Sequence, residues 1–300
     1  MTPQPIRKVG VVGAGTMGHG IAQVSAQAGF AVTLIDVSDA ALQRGLGAIA
    51  ANLDRLVQKA QLDAAGKAAV LARIHGSTDP AALVTADLVI EAATENEALK
   101  RRILQQIDAV VGPAALIATN TSSISLTQLA AATQQAGRVI GMHFFYPVPR
   151  MALVELVRGL QTADETVARA EAFLAAIGKT PIAARNSPGF AVNRMLCPMI
   201  NEAIFVLQEG LATAEDIDTG MQLGCGHPIG PLALADVIGL DTLLAVMEVL
   251  HRGFDDPKYR PAQLLKEMVS AGRLGRKSGH GFFAYGALDA AGARRSAAVA

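Results

Sequence analysis

The stretch Val9-Gly10-Val11-Val12-Gly13-Ala14-Gly15-Thr16-Met17-Gly18 decides the fold of the first half of the chain. Its apolar start is typical of a buried β-strand, and a helical pattern follows the glycines directly. In such a strand–turn–helix, Gly13 permits the tight turn, Gly15 lets a ligand approach the backbone, and Gly18 lets helix and strand pack closely. The unpaired N–H groups and positive dipole end at the helix start suit a phosphate.

A single carboxylate downstream indicates which dinucleotide this turn binds. Asp36 stands eighteen residues after Gly18, at the end of the next predicted strand. A carboxylate there accepts hydrogen bonds from the ribose hydroxyls of NAD and repels the 2′-phosphate of NADP. Thr16 and Met17 belong to the same turn, so we predict an NAD site formed by these residues. The alternatives are a glycine turn that binds nothing and a role for Asp36 as a helix N-cap.

Outward from this stretch, short apolar runs alternate with helical patterns, which is typical of a parallel sheet wrapped by helices. We predict an α/β Rossmann domain, doubly wound and mainly parallel, over residues 1–185. The predicted strands are Val9–Val12, Val32–Asp36, Leu88–Ala92, Leu116–Thr119, Val139–Phe144 and Val154–Val157. The predicted helices are Thr16–Ala28, Ala40–Lys59, Lys67–Arg73, Glu97–Val110 and Ser125–Ala132.

The pattern changes around Asn186 and is helical from Phe190 onward, so we predict an all-α C-terminal domain over residues 186–300. Its predicted helices are Ala191–Glu209, Ala214–Leu223, Leu232–Leu250 and Pro261–Ala271. The tail from Ala287 is rich in Ala, Gly and Arg, and we expect it to be disordered.

Composition and charge argue against several classes of function. The 26 basic and 26 acidic residues cancel, which argues against nucleic acid as a partner. No apolar stretch approaches the roughly 20 residues of a membrane helix. Two cysteines without a CxxC pattern are expected to be reduced thiols in a cytoplasmic protein. The six histidines show no HxxxH or HExxH spacing, so we expect no metal site.

Several further motifs follow residue 90 and together carry a resemblance. They are Glu91-Ala92-Ala93 with Glu95 and Lys100, Asn120-Thr121-Ser122-Ser123, Gly141-Met142-His143-Phe144-Phe145, Leu153-Val154-Glu155, Ser187-Pro188-Gly189-Phe190 with Asn193-Arg194, Gly224-Cys225-Gly226-His227-Pro228-Ile229-Gly230-Pro231, and Gly239-Leu240-Asp241. Over about residues 5 to 285 the sequence closely resembles the 3-hydroxyacyl-CoA dehydrogenases, especially the short bacterial 3-hydroxybutyryl-CoA type.

The resemblance implies roles at the matching positions. His143 would be the general base that removes the proton from the carbon-3 hydroxyl while hydride leaves for NAD, and Glu155 would orient its imidazole. Ser122 and Asn193 would bind the substrate oxygen and thioester region. The resemblance also implies a homodimer formed through the C-terminal domain.

It further implies which residues surround the cofactor and substrate. Glu95, Lys100 and Lys277, together with Ser122, would lie near the nicotinamide and its ribose. Lys59 matches a position that contacts coenzyme A, so the expected partner is an acyl-CoA substrate.

The chemistry of the residues agrees with this assignment without requiring it. Histidine serves as a base near neutral pH, and a carboxylate is the best group to orient it. A turn between the two predicted strands could bring His143 and Glu155 face to face. On the residues alone, His143 could equally be a core histidine, Glu155 a solvated strand residue, and Lys59 and Lys100 solvated helix lysines. Cys197 and Cys225 have the character of small packing residues.

Two positions depart from the family pattern. Tyr146 replaces the asparagine of the usual His-Phe-Phe-Asn-Pro, near the nicotinamide, and leaves the acyl preference open. Asn186 stands where an aspartate is common before Pro-Gly-Phe. Neither change removes a catalytic group.

Two other functions remain open on the sequence. The chain could be a related NAD-dependent dehydrogenase of a free hydroxy acid or sugar acid, although Arg55, Lys59 and Lys67 favour the phosphates of CoA. It could also be an NAD-binding protein without catalysis. Apolar positions of the C-terminal domain are candidates for core or dimer interface: Ile200, Ile204, Val206, Leu207, Leu243, Leu244, Val246 and Met247.

Overall fold

A computed structural model describes residues 5–286 of the protein. Contacts within the chain divide it into two compact units, with the division after Phe190. We call them the N-terminal unit and the C-terminal unit. A domain boundary at residue 185, where the last strand of the N-terminal unit ends, stays a prediction. The tail from Ala287 lies outside the described residues.

The N-terminal unit is an eight-stranded sheet flanked by helices. Its strands are β1 (Lys8–Val12), β2 (Ala31–Ile35), β3 (Ile74–Ser77), β4 (Leu88–Glu91), β5 (Leu116–Thr119), β6 (Val139–Phe144), β7 (Leu153–Arg158) and β8 (Thr180–Arg185). Its helices are α1 (Gly18–Gln27), α2 (Asp39–Gln58), α3 (Ala64–Ala72), α4 (Glu97–Val110), α5 (Leu126–Ala130) and α6 (Asp164–Ala176). Short 3₁₀ turns lie at Pro80–Leu83 and Ala136–Arg138.

The sheet has the order β3-β2-β1-β4-β5-β6-β7-β8. Neighbouring strands are parallel from β3 to β6, β7 runs antiparallel to β6, and β8 is parallel to β7. The order of the first six strands is that of doubly wound dinucleotide-binding sheets, so the predicted Rossmann architecture is confirmed.

Alternate strand residues pack into two cores, one on each face of the sheet. Leu88 and Ile90 of β4 belong to the core that also contains helix residues of α1, α2 and α6, whereas Val89 belongs to the core with residues of α4 and α5. Side chains of a strand point alternately to its two faces, so a strand covered on both sides must be apolar throughout. This requirement explains why the central strands were recognisable from the sequence.

Three elements of the N-terminal unit were not predicted. They are the strands β3 and β8 and the helix α6. Both strands lie at the edges of the sheet and contain no fully buried residue, so their sequences lack the apolar run of a buried strand. Helix α6 begins with Asp164 and Glu165, which suit a helix N-terminus, but it has few large apolar residues.

The C-terminal unit is helical, as predicted. Its helices are α7 (Val192–Gln208), α8 (Ala214–Cys225), α9 (Pro231–Ile238), α10 (Leu240–Phe254) and α11 (Gln263–Ser270). The single helix predicted over Leu232–Leu250 is wrong. Gly239 has φ +98° and ψ 126°, which cannot continue an α-helix, so the chain turns there between α9 and α10.

The candidate interface residues of the C-terminal unit lie in or against its own core. Ile200, Ile204, Leu243 and Met247 are fully buried, and Val206, Leu207, Leu244 and Val246 are partly buried and pack against them. Cys197 is also buried, and burial raises the pKa of its thiol to about 12. The expectation that Cys225 packs inside is wrong, because its side chain is exposed at the end of α8.

No helix among residues 5–286 combines the length and apolar character that crossing a membrane requires.

Two glycines of α2 respond oppositely to a methyl group, and this gives a test of how α2 packs. A Cβ on Gly45 would lie 2.6 Å from the carbonyl oxygen of Ala14, in the glycine-rich turn, whereas one on Gly47 would meet no atom within 4 Å. We predict that Gly45→Ala lowers the free energy of unfolding by about 1–3 kcal/mol through overpacking. Gly47→Ala should raise it by about 0.5–1 kcal/mol through helix propensity. Urea unfolding followed by circular dichroism measures both, and equal effects would contradict the packing.

Candidate active site

The candidate cofactor and proton-transfer residues of the N-terminal unit gather at one end of the parallel strands, which we call the carboxyl edge of the sheet. Strands β1, β2, β4, β5 and β6 are parallel, so their carboxyl ends meet at that edge. The glycine-rich turn follows β1, Asp36 follows β2, and Asn120 follows β5. Ligands of doubly wound sheets bind at this edge.

The glycine-rich turn has the geometry that a pyrophosphate needs. Gly13 has φ +100°, and its N–H donates to the carbonyl of Ile35 at 2.8 Å. A Cβ on Gly18 would overlap the carbonyl oxygen of Gly13 at 1.7 Å, so only glycine fits where α1 begins. A Cβ on Gly15 would meet nothing within 4 Å, which leaves the backbone open to a ligand. Thr16 is exposed and Met17 half-buried beside it.

Asp36 ties the end of β2 to this turn. Its Oδ2 accepts a hydrogen bond from the Ala14 N–H, and its Oδ1 accepts one from the Val37 N–H, both at 2.8 Å. The carboxylate is half-buried and therefore retains a solvent-facing side. The alternative role of Asp36 as N-cap of α2 is wrong, because Ser38 caps that helix and accepts from the Ala41 N–H.

Lys100 is not the solvated helix lysine that the sequence pattern alone allowed. Its side chain is 1% exposed, and its Nζ donates to Glu91 Oε2 at 2.6 Å. Thr119 Oγ1 donates to the same carboxylate oxygen at 2.7 Å, and the Ala93 N–H donates to the other at 2.9 Å. Neither Glu91 nor Thr119 was a predicted site residue. The sequence feature that could have indicated Glu91 is a glutamate at the end of an otherwise apolar, buried strand.

Glu95 organises the loop that carries Ser122. Its Oε1 accepts hydrogen bonds from the Ser122 N–H at 2.7 Å and the Ser122 hydroxyl at 2.9 Å. The hydroxyls of Thr121 and Ser123 donate to the same oxygen, at 2.8 Å and 3.1 Å. The structure thus brings two predicted site residues, Glu95 and Ser122, into direct contact. The Glu95 side chain remains 43% exposed at the edge of the sheet.

His143 and Glu155 face each other across the antiparallel ladder of β6 and β7. They are register partners, and His143 Nδ1 lies 2.7 Å from Glu155 Oε2. His143 is 7% exposed and Glu155 is fully buried. Nδ1 donates to the carboxylate, so Nε2 is the nitrogen that can accept a proton from a ligand. The turn between β6 and β7 thus brings the two residues face to face, as expected from the sequence.

Aromatic rings and a buried lysine support this pair. The rings of Phe145 and Phe190 lie 4.6 Å and 5.8 Å from the His143 ring, measured between centroids. Lys179 donates to the carbonyls of Val148 and Met151, at 2.6 Å and 2.7 Å, and so holds the turn between β6 and β7. Burial lowers the pKa of Lys179 from its ordinary value.

The two departures from the family pattern differ in their surroundings. Asn186 accepts a hydrogen bond from the Leu126 N–H at 2.8 Å and donates to the hydroxyls of Ser125 and Thr127, at 3.2 Å and 3.3 Å. An amide can accept and donate at once, so Asn186 suits the N-terminus of α5. Tyr146 follows β6 and is 66% exposed.

The basic residues expected near coenzyme A lie on α2 and α3. Lys59 is exposed at the C-terminal end of α2. Arg55 is exposed on the same helix and donates to the side chain of Asn52. Lys67 is paired with Asp54 at 2.5 Å, so its charge is compensated in part.

Asn193 and Lys277 belong to the C-terminal unit. Asn193 lies in the first turn of α7 and is half-buried. Lys277 Nζ lies 2.5 Å from Asp241 Oδ1. Burial acts to raise the pKa of Asp241, but the hydrogen bond and charge of Lys277 outweigh it and leave that pKa below its ordinary value.

Comparison with known proteins assigns both units to one family. The NAD-binding domain of 3-hydroxyacyl-CoA dehydrogenases matches residues 8–187, and the C-terminal domain of the same family matches residues 189–285. A probable 3-hydroxybutyryl-CoA dehydrogenase of Deinococcus radiodurans is 51% identical over 93% of this chain and 100% of its own length.

Two further proteins agree. The 3-hydroxybutyryl-CoA dehydrogenase of Bradyrhizobium diazoefficiens is 51% identical over 93% of this chain and 96% of its own. The crystal structure of (S)-3-hydroxybutyryl-CoA dehydrogenase from Ralstonia eutropha has a TM-score of 0.91 and 63% identity, covering 94% of this chain and 100% of that one. The fold, the glycine-rich turn and these relatives together show that the chain belongs to the 3-hydroxyacyl-CoA dehydrogenase family.

Proposed function

We propose that this protein interconverts (S)-3-hydroxyacyl-CoA and 3-oxoacyl-CoA with NAD as the oxidant, and that its substrates are short-chain, such as 3-hydroxybutyryl-CoA. The observation that carries the proposal is the buried His143–Glu155 pair, at 2.7 Å, in a sheet whose carboxyl edge holds a dinucleotide-binding turn. The relatives named as 3-hydroxybutyryl-CoA dehydrogenases support the short-chain substrate.

The residues of the glycine-rich turn suit NAD. Gly13 shapes the turn, Gly15 and Gly18 leave the start of α1 open to the pyrophosphate, and Asp36 accepts from the adenosine ribose. When bound, NAD supplies the acceptor for the hydride that leaves carbon 3. Glu95, Lys100 and Ser122 would hold the nicotinamide ribose, with Lys100 buried beneath Glu95. The family pattern assigns Lys277 a role toward the same group.

The chain's own chemistry is the handling of one proton. His143 Nε2 removes the proton from the carbon-3 hydroxyl, and the Nδ1–H bond to Glu155 keeps the ring oriented. The carboxylate also stabilises the imidazolium that forms. Ser122 and Asn193 hold the substrate oxygen and thioester region, and Lys59 contacts a phosphate of coenzyme A.

Two alternatives make different predictions about the same pair. A dehydrogenase of a free hydroxy acid or sugar acid would use His143 and Glu155 but would not need Lys59. A protein that binds NAD without catalysis would need neither His143 nor Glu155. Acetoacetyl-CoA with NADH, followed at the absorbance of NADH, separates the proposed activity from both alternatives.

We also propose that the protein is a cytoplasmic homodimer. Both cysteines are unpaired, which suits a reducing compartment. The C-terminal unit exposes several large apolar side chains that a second copy could cover. They are Met195, Leu211, Leu223 and Val237, at 68%, 76%, 83% and 49% exposure.

The first test concerns the cofactor. We predict a strong preference for NADH over NADPH, because Asp36 repels a 2′-phosphate. Asp36→Ala should weaken NADH binding and relax the discrimination, and its loss of two backbone hydrogen bonds makes a thermal unfolding control necessary. Fluorescence titration with each dinucleotide measures the effect, and equal use of NADPH by the wild type would refute the assignment.

The second test concerns the base. His143→Ala should lower turnover by roughly 10²- to 10⁴-fold, the usual effect of positioned proton transfer. In the oxidative direction only neutral imidazole accepts a proton, so the rate should rise with pH. Glu155→Gln should also slow turnover, because an amide orients the imidazole less firmly and does not stabilise the imidazolium that forms.

The pH–rate profiles of the wild type and both variants decide this. Effects of the two substitutions should not add, since the residues act as one unit. NADH affinity serves as the control and should survive in both, because the cofactor is held by other residues. Near wild-type turnover in His143→Ala would show that another group is the base.

The third test concerns assembly. Light scattering at micromolar concentration should give twice the mass of one chain. The double variant Leu211→Glu, Leu223→Glu should shift the protein toward monomer, because charged side chains disfavour an apolar interface. Leu160→Glu is the matched control, since Leu160 is 87% exposed in the N-terminal unit. A monomeric wild type would refute the dimer.

A further inference from the structure

The buried ion pair of Glu91 and Lys100 demands an explanation beyond stability. The two side chains are 0% and 1% exposed, and their charged atoms are 2.6 Å apart. Thr119 and the Ala93 N–H satisfy the remaining carboxylate positions. Removing two full charges from water costs more than most such pairs return, and apolar residues of similar volume often serve a fold better. A buried pair kept at the carboxyl edge of the sheet therefore points to another role.

The pair touches the candidate active site through one residue. Lys100 Nζ lies 3.7 Å from Glu95 Oε2, so the buried ammonium stands between the buried Glu91 and the exposed Glu95. The other oxygen of Glu95 accepts from the N–H and hydroxyl of Ser122, at 2.7 Å and 2.9 Å. A chain of contacts thus runs from Glu91 through Lys100 and Glu95 to Ser122.

We propose that Glu91 and Lys100 are positioning residues, which act through Glu95 to set the loop that carries Ser122. The inference rests on the proposed function, because Ser122 and Glu95 would line the cofactor and substrate site. Lys100 attracts one oxygen of Glu95 and leaves the other on the loop. Glu91 takes the direct contact with the ammonium, and this prevents Lys100 from drawing Glu95 off Ser122.

Both members of the pair are needed for this balance. Without the charge of Glu91, Glu95 becomes the nearest carboxylate to the ammonium and moves toward it, away from Ser122. Without Lys100, whether residue 91 is charged or neutral, no cation holds Glu95 Oε2, and the partly exposed Glu95 side chain turns from the loop toward water. In either case the Ser122 N–H loses its acceptor.

A second buried ion pair, at the amino end of the parallel strands, serves as a matched control. Arg138 Nη2 lies 2.6 Å from Asp108 Oδ1, and both side chains are buried. Asp108 lies near the end of α4 and Arg138 just before β6, so this pair lies at the amino edge, away from the candidate site. Its loss should cost stability without changing the Ser122 loop.

The experiment compares Glu91→Gln, Lys100→Met, the double variant Glu91→Gln, Lys100→Met, and Asp108→Asn. Three quantities are measured on the full chain: the thermal midpoint, the dissociation constant for NADH by fluorescence titration, and hydrogen exchange of the Ser122 amide. Hydrogen exchange reports the hydrogen bond to Glu95 directly and needs neither substrate nor turnover.

The double variant distinguishes a positioning role of the Glu91–Lys100 pair from a purely structural one. Its neutral pair should recover most of the thermal midpoint lost in Glu91→Gln, because no unpaired charge remains buried. In the double variant, in Glu91→Gln and in Lys100→Met, hydrogen exchange of the Ser122 amide should nevertheless be about 10-fold faster. NADH binding should be about 10-fold weaker in the same three variants, which is the effect of losing one charge-assisted hydrogen bond. Asp108→Asn should lower the midpoint and leave exchange and NADH affinity unchanged.

A double variant with wild-type Ser122 exchange and NADH affinity would overturn the proposal and make the pair purely structural. It decides the matter even if Glu91→Gln alone does not fold. Failure of the wild type to reduce acetoacetyl-CoA would count against the proposed function instead, while Ser122 exchange would still decide the role of the pair.

Discussion

The antiparallel ladder between β6 and β7 is the constraint on which the candidate chemistry depends. It makes His143 and Glu155 register partners, so the 2.7 Å hydrogen bond between their side chains follows from the backbone pairing. A shift of one residue in this register would turn one side chain to the other face of the sheet. Lys179 donates to two carbonyls of the turn between the two strands and so holds this turn in place. Strand β7, which carries Glu155, is therefore part of the candidate site.

Two buried glutamates lie near the carboxyl end of the parallel strands. The central strands are apolar on both faces, and such an interior tolerates an ionised group only when it is paired. Glu91 and Glu155 are both fully buried, each next to a cationic or titratable partner: Lys100 for Glu91 and His143 for Glu155. Low solvent access strengthens these contacts and holds each group in one orientation. Such an edge is suited to placing a proton acceptor and a cofactor at fixed positions.

The departures from the family pattern show how the fold accommodates change. Asn186 makes three hydrogen bonds to α5 that use both its carbonyl and its amide, so the substitution is matched to its local partners. Tyr146 stands exposed after β6, two residues beyond Phe144, and has room for an aromatic ring. The first change lies in the framework, whereas the second lies on the surface just after β6.

Elements whose signal lies in neighbouring residues were predictable from the sequence alone. The glycine-rich turn, the central strands, α4 with its bounds, and the helical C-terminal unit are all encoded by local periodicity and by glycine positions. The family motifs likewise indicated His143, Glu155 and Ser122 as site residues, and the position of Asp36 after the second strand indicated its role. How these residues are partnered depends on contacts between distant parts of the chain.

The edge strands β3 and β8, the burial of Lys100, and the hydrogen bonds of Glu95 to a loop 27 residues away depend on contacts between distant parts of the chain. A lysine on a helix has the same local pattern whether it faces water or a buried glutamate. The difference lies in which strand packs beneath it, and that is a property of the folded chain alone.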